Sequence, residues 1–121
     1  MTRPSLAGIL IHTSSDRFEA MRSFYVDALG LVPRSDRPGF VNFEFGDQRL
    51  TLAVHDDVSG ATREPNRVMV NLATDAIEAS YQRALDAGAP AIRPPSPEPW
   101  GGRVATTADP DENRVQFLEL P

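Results

Sequence analysis

Residues 98–120, EPWGGRVATTADPDENRVQFLEL, decide how this chain is read. Residues 103–108 are rich in Val, Ala and Thr, and 114–118 is another short strand-like run. Between them stands Asp109-Pro110-Asp111-Glu112-Asn113, a cluster of turn-forming residues. Pro110 presets φ for a turn, and Asp111 and Asn113 tolerate the tight backbone that follows. The stretch therefore reads as a β-hairpin entered through a Trp100-Gly101-Gly102 corner.

The same grammar occurs earlier. Pro38-Gly39 opens a strand at 40–45, Gly46-Asp47 turns it, and 48–55 returns. Working outward, residues 6–12 form an apolar strand, and Asp16 with Glu19 three positions on resembles a capping box. Phe18, Met21, Tyr25, Ala28 and Leu29 then make a helical stripe that Gly30 closes. Residues 31–35 read as a short strand before the first hairpin. In the second half, a strand at 68–73 leads to Asp75 and Glu78. Ile77, Tyr81, Ala84 and Leu85 form the next stripe, closed by Gly88. A short strand at 91–93 ends in Pro94-Pro95-Ser96-Pro97. Each half runs strand, capped helix, three strands, and the polar segment 56–67 lacks periodicity and links them. The expectation is an α+β fold of two tandem βαβββ modules, about 5–55 and 68–120, within a single domain spanning 1–121.

Bulk properties bound the function. A chain of 121 residues holds one core of ordinary size. Its hydrophobic fraction of 40% and charged fraction of 24% are those of a globular protein. No apolar run approaches membrane-span length and no basic-then-apolar leader opens the chain, so the cytosol is the expected location. Without cysteine there is no disulfide, thiolate nucleophile or cysteine-held zinc. All twelve basic residues are Arg, so Schiff-base lysine chemistry is excluded too. The net charge of −5 and the lack of a basic stripe argue against nucleic acid, and weakly favour a cationic ligand.

Strand alternation sorts the side chains. Val41, Phe43, Phe45, Leu50, Leu52 and Val54 belong under the helix; Phe40, Asn42, Glu44, Arg49, Thr51, Ala53 and His55 share the other face. Ile9, Ile11, Val68, Val70, Leu72, Val115 and Phe117 are expected inside. Leu10, His12, Met69, Asn71, Arg114, Gln116 and Leu118 are expected on the open face. A sheet covered on one side only can curve its free face round an organic molecule.

With Phe24-Tyr25, Leu29-Gly30-Leu31, the helix at 77–88 and Asp109-Pro110-Asp111-Glu112-Asn113-Arg114 in place, the chain resembles the vicinal-oxygen-chelate superfamily. That superfamily holds the glyoxalase, bleomycin-resistance and extradiol dioxygenase proteins. The Pro99-Trp100-Gly101 corner is most similar to the bleomycin-resistance branch. Glu112 stands where the family usually has Gly. The resemblance implies four metal-ligand positions, which fall at Leu10 (or Ile9), Thr51, Met69 and Gln116. None suits a divalent ion, which needs three converging imidazole or carboxylate groups. No metal, cofactor or catalytic residue is therefore expected.

The resemblance further implies a homodimer whose paired modules enclose the pockets. The leading expectation is a metal-free protein that sequesters a small organic ligand, an antibiotic or secondary metabolite, with no nucleic-acid or membrane partner. The residues expected to hold it are His12, Phe40, Asn42, Thr51, Met69, Asn71, Trp100 and Gln116. Trp100 has two readings, a stacking wall for the ligand and a plug at the sheet end. Arg49, Arg103 and Arg114 read as solvated or salt-bridged groups. Two alternatives stay open. One is a glyoxalase-like lyase, isomerase or dioxygenase using Fe, Mn, Ni or Zn, or His12 with Glu44 or His55 moving a proton. The other is an interaction module without a small ligand.

Overall fold

The computed structural model describes residues 3–121. Eleven segments follow in order: β1 (Gly8–Thr13), α1 (Phe18–Ser23) continued by a π turn (Phe24–Ala28), β2 (Ser35–Arg37), β3 (Phe40–Phe45), β4 (Gln48–Val54), β5 (Met69–Ala73), α2 (Ile77–Asp86), β6 (Arg93–Pro97), β7 (Arg103–Ala108) and β8 (Arg114–Glu119). They form two four-stranded sheets, ordered β1-β4-β3-β2 and β5-β8-β7-β6. In each, the first and last strands run parallel and the hairpin pairs are antiparallel. This is the tandem βαβββ pattern, and both hairpins fall where the turn residues place them.

Alternation decides the core. Val41, Phe43, Leu50 and Leu52 are buried on the first sheet, and Val70, Val115 and Phe117 on the second. A side chain of this size contributes about 1.5–3 kcal/mol when removed from water. Phe18, Met21, Phe24, Tyr25 and Ala28 meet Ile77, Tyr81 and Ala84 in one continuous cluster, so the two modules share their interior. Three residues expected inside lie at strand ends instead and stay open: Ile9 is 41% exposed, Phe45 45% and Val68 65%. Ile9 and Phe45 border the gap between the β1 and β5 edges, and Val68 precedes β5.

Local chemistry corrects four further expectations. Neither helix is capped by its Asp. Arg17 and Ala76 occupy the N-cap positions with no side-chain cap of their own. The Thr74 hydroxyl instead accepts the Ala76 N–H, and Glu119 Oε2 accepts the Ile77 N–H from the sheet below. At α2 one local hydroxyl and one long-range carboxylate thus take the place of the Asp75 cap. The first stripe ends in a π turn, with Leu29 N–H bonded to Phe24 C=O at 2.9 Å. That wider turn lets both Phe24 and Tyr25 face the core. The strand expected at 31–35 forms over Ser35–Arg37, opposite Phe40–Asn42. The strand expected at 91–93 runs on through Arg93–Pro97, because an edge strand tolerates prolines that a central one could not.

The turn at 109–113 is the main polar joint between the modules. Asp109 Oδ1 accepts the N–H groups of Asp111 and Asn113, and Oδ2 accepts the Tyr25 hydroxyl at 2.8 Å. Asp111 accepts the Thr13 hydroxyl at 2.6 Å and pairs with Arg17, which also reaches the Pro110 carbonyl. So β1 and α1 of the first module grip the hairpin tip of the second. Burial raises the Tyr25 hydroxyl well above its usual range, helped by the neighbouring Asp109 charge. A raised folded-state value gives stability that is whole below the unfolded tyrosine value of about 10 and is lost as pH rises through the folded one. Tyr25→Phe is expected to cost about 1–2 kcal/mol at neutral pH. It should also flatten the alkaline fall in melting temperature. A fall as steep as wild type's would place that titration elsewhere.

Glu112 has φ 67°, the only non-glycine among the described residues in the left-handed region. A side chain there is strained by about 1 kcal/mol. Glu112→Gly is therefore expected to raise the melting temperature by a few degrees, as thermal denaturation would show.

Candidate functional site

The free faces of the sheets carry the expected residues. On the first sheet Leu10 stands directly opposite Thr51, and Thr51 opposite Asn42. These three, with Phe40 and Arg49, line an open groove of about 590 Å³, within the size range of organic-ligand sites. Asn42 is 6% exposed, and its Oδ1 accepts the Ser35 N–H at 3.0 Å, which leaves its amide hydrogens for the groove. Arg37 lies over the Phe40 ring, 3.8 Å from the centroid.

On the second sheet Gln116 stands opposite Asn71, and Met69 opposite Arg114. Gln116 Nε2 donates to Asn71 Oδ1 at 3.0 Å, leaving the Gln116 carbonyl and the Asn71 amide hydrogens for a ligand. Asn71 also lines a smaller cavity of about 290 Å³ between the edges of β1 and β5, with Ile9, Phe45 and Arg49. Trp100 lies in the β6–β7 connection, half exposed, its ring packed on Gly102. A Cβ on Gly102 would sit 1.9 Å from the indole, so the glycine is what admits the ring. Phe40, Asn42 and Thr51 thus share one groove, Asn71 and Gln116 form a second station, and Trp100 lies on a separate connection.

The two histidines of the chain come together, which strand-end position alone did not indicate. His12 and His55 have ring centroids 4.7 Å apart, tilted by 51°. His55 Nδ1 accepts the Asp57 N–H at 3.0 Å, so the neutral ring carries its proton on Nε2 and offers a donor there. Glu44 is occupied elsewhere, bridging Arg34 and Arg49. Among the described residues no three His, Cys, Asp or Glu side chains converge as metal ligands. The four positions implied for a metal present an isobutyl group, a hydroxyl, a thioether and an amide. This donor set does not fit a divalent ion.

A second groove, about 610 Å³, lies on the helix side between the π turn, the end of α2 and the 109–113 turn. Alanines make much of its wall, and the Asp109 carboxylate in it is spent on Tyr25, Asn113 and backbone N–H groups. Burial raises the value of that carboxylate. Ser23, Asp27, Glu112 and Arg114 also line this groove, so it carries charged groups as well as volume.

The comparisons agree with this architecture. Residues 11–117 match the model of the Glyoxalase/Bleomycin resistance protein/Dioxygenase superfamily. The chain belongs to that superfamily. A search of curated proteins finds no match. Among solved structures, a glyoxalase-related enzyme from Fulvimarina pelagi is 22% identical with a TM-score of 0.79, over 97% of this chain and 88% of that one. TnmS3, an antibiotic binding protein from Streptomyces sp. CB03234, is 23% identical with a TM-score of 0.74, over 100% and 99%. Lactoylglutathione lyase from Agrobacterium tumefaciens is 22% identical with a TM-score of 0.71, over 97% and 94%. At these identities the likeness is one of fold. No helix among the described residues is long and apolar enough to cross a membrane.

Proposed function

We propose that the open face binds a small organic molecule and holds it without a metal and without chemistry, in a pocket closed by a second copy of the chain. One observation carries this reading. The facing pairs Leu10–Thr51 and Asn71–Gln116 provide apolar surface, a hydroxyl and two amides where a metalloenzyme of this fold needs imidazoles and carboxylates. Sequestration needs only burial of apolar area and a few directed hydrogen bonds. Leu10, 57% exposed beside the polar groove, supports closure by a partner. The fold is shared with an antibiotic-binding protein and with a lyase, so fold does not choose between them. The site residues favour the binding protein.

Elemental analysis tests the reading. Purified protein incubated with Mn, Fe, Ni and Zn and then desalted is expected to retain none of them. One metal per chain would give the lead to the lyase or dioxygenase reading. Trp100 lies outside the groove of its own chain, so it walls the ligand only if the second copy carries it there. Trp100→Ala is then expected to leave the fold intact and weaken ligand binding about tenfold. An unchanged affinity removes Trp100 from the pocket.

A further inference from the structure

The chain is acidic, with a net charge of −5, yet arginines line and edge the groove on its open face. On the first sheet Arg37 pairs with Phe40 and Arg49 with Glu44, on the same side as Asn42 and Thr51. Arg34 reaches Glu44 at 2.8 Å. On the second sheet Arg93 stands opposite Thr106, which in turn faces Gln116. Four guanidinium groups, of Arg34, Arg37, Arg49 and Arg93, thus meet three carboxylates: Glu44 shared by Arg34 and Arg49, Glu98 on Arg93, and Asp47 at the hairpin rim. Much of the acidity lies on the other side, with Glu19, Asp27, Glu78 and Asp86 all on the helices.

The neutral groups point the same way. The free atoms of the Asn42 amide are donors, because its oxygen is held by Ser35 N–H. Thr51 adds a hydroxyl in the same groove, and Arg49 lines it. Arg37 is held on an aromatic ring, and among the described residues it makes no ion pair. A charge held on a ring and a buried amide with free donors both favour an anionic oxygen over a cation.

We propose that the open face selects an organic carboxylate, its oxygens taken by Arg49, the Asn42 amide and the Thr51 hydroxyl and its apolar body laid on Leu10 and Phe40. This rests on the open face being the binding surface, and it reverses the preference that net charge alone suggests. The test uses three probes of one shape, 2-naphthoate, 2-naphthamide and protonated 2-naphthylmethylamine. Each is titrated into the wild-type protein by calorimetry at low ionic strength. Naphthoate is expected to bind about tenfold more tightly than the amide, with the amine weakest, and added salt should narrow the gap. Arg49→Gln and Arg37→Gln should each bring naphthoate to within about twofold of the amide. Equal or tighter binding of the amide or amine overturns the carboxylate preference and leaves the binding face standing. So does a preference that survives both substitutions. If none of the three probes shifts the side-chain amide resonances of Asn42 and Asn71, the binding face itself fails, and this inference with it.

Discussion

Asp111→Ala is expected to cost about 2–4 kcal/mol, because it strands two partners at once. The Thr13 hydroxyl is fully buried and gives its hydrogen to Asp111; Arg17, a third exposed, loses its ion pair. The damage falls between modules rather than within one, since Thr13 and Arg17 belong to the first and Asp111 to the second. Calorimetry should show the melting temperature falling by roughly 8–15 °C, at about 4 °C per kcal/mol for a domain of this size. Arg17→Ala should fall less, because the buried carboxylate keeps Thr13. A change under about 2 °C for Asp111→Ala would mean that the shared apolar core alone holds the modules together.

Gly8→Ala is expected to be at least as severe. Gly8 opens β1 opposite Arg49 with φ 153°, and a Cβ there would lie 1.8 Å from the Arg49 carbonyl oxygen and 2.7 Å from its nitrogen. Both are backbone atoms, so no rotamer relieves the clash. The start of β1 must lift off β4, breaking the bond from Arg49 N–H to Ala7 C=O. A loss of about 3 kcal/mol or more follows, a fall of roughly 2 M in the urea midpoint. Because Gly8 also borders the groove with Leu10 and Thr51, ligand affinity should drop with it. A midpoint within about 0.3 M of wild type would contradict the close approach of these strands.

Much of this fold is legible in the residues because its signals are local. Gly46-Asp47 and Asp109-Pro110-Asp111 mark two hairpins, alternation puts Val41, Phe43, Leu50 and Leu52 inside, and Gly30 and Gly88 end the two helices at positive φ. What alternation cannot tell is where a neighbouring element stops. Phe45, Val68 and Ile9 follow the rule for their face and still meet solvent. The capping-box pattern at Asp16 and Asp75 misleads for a related reason, since the groups that satisfy α2 come from Thr74 and from Glu119, 42 residues away. The site is less legible than the fold. Register brings Asn42, Thr51 and Leu10 together; the turn at Gly46-Asp47 predicts the Asn42–Thr51 pair, while the place of Leu10 depends on the non-local pairing of β1 with β4. The His12–His55 contact and the burial of Asp109 and Asp111 are non-local, and nothing in residue spacing marks them. Net charge says little about the face, because a sum over the chain hides where Arg and Glu segregate.

Binding of a ligand to the open face without a metal is reported directly by side-chain amide resonances. Protein stripped of metal with a chelator would be titrated with 2-naphthoate while the amide signals of Asn42, Asn71 and Gln116 are followed by NMR. The account predicts saturable shifts at these residues, with little change at Ala20, Ala87 and Ala89 in the helix-side groove. Shifts confined to that groove, or binding that appears only after a divalent metal is added back, would contradict it.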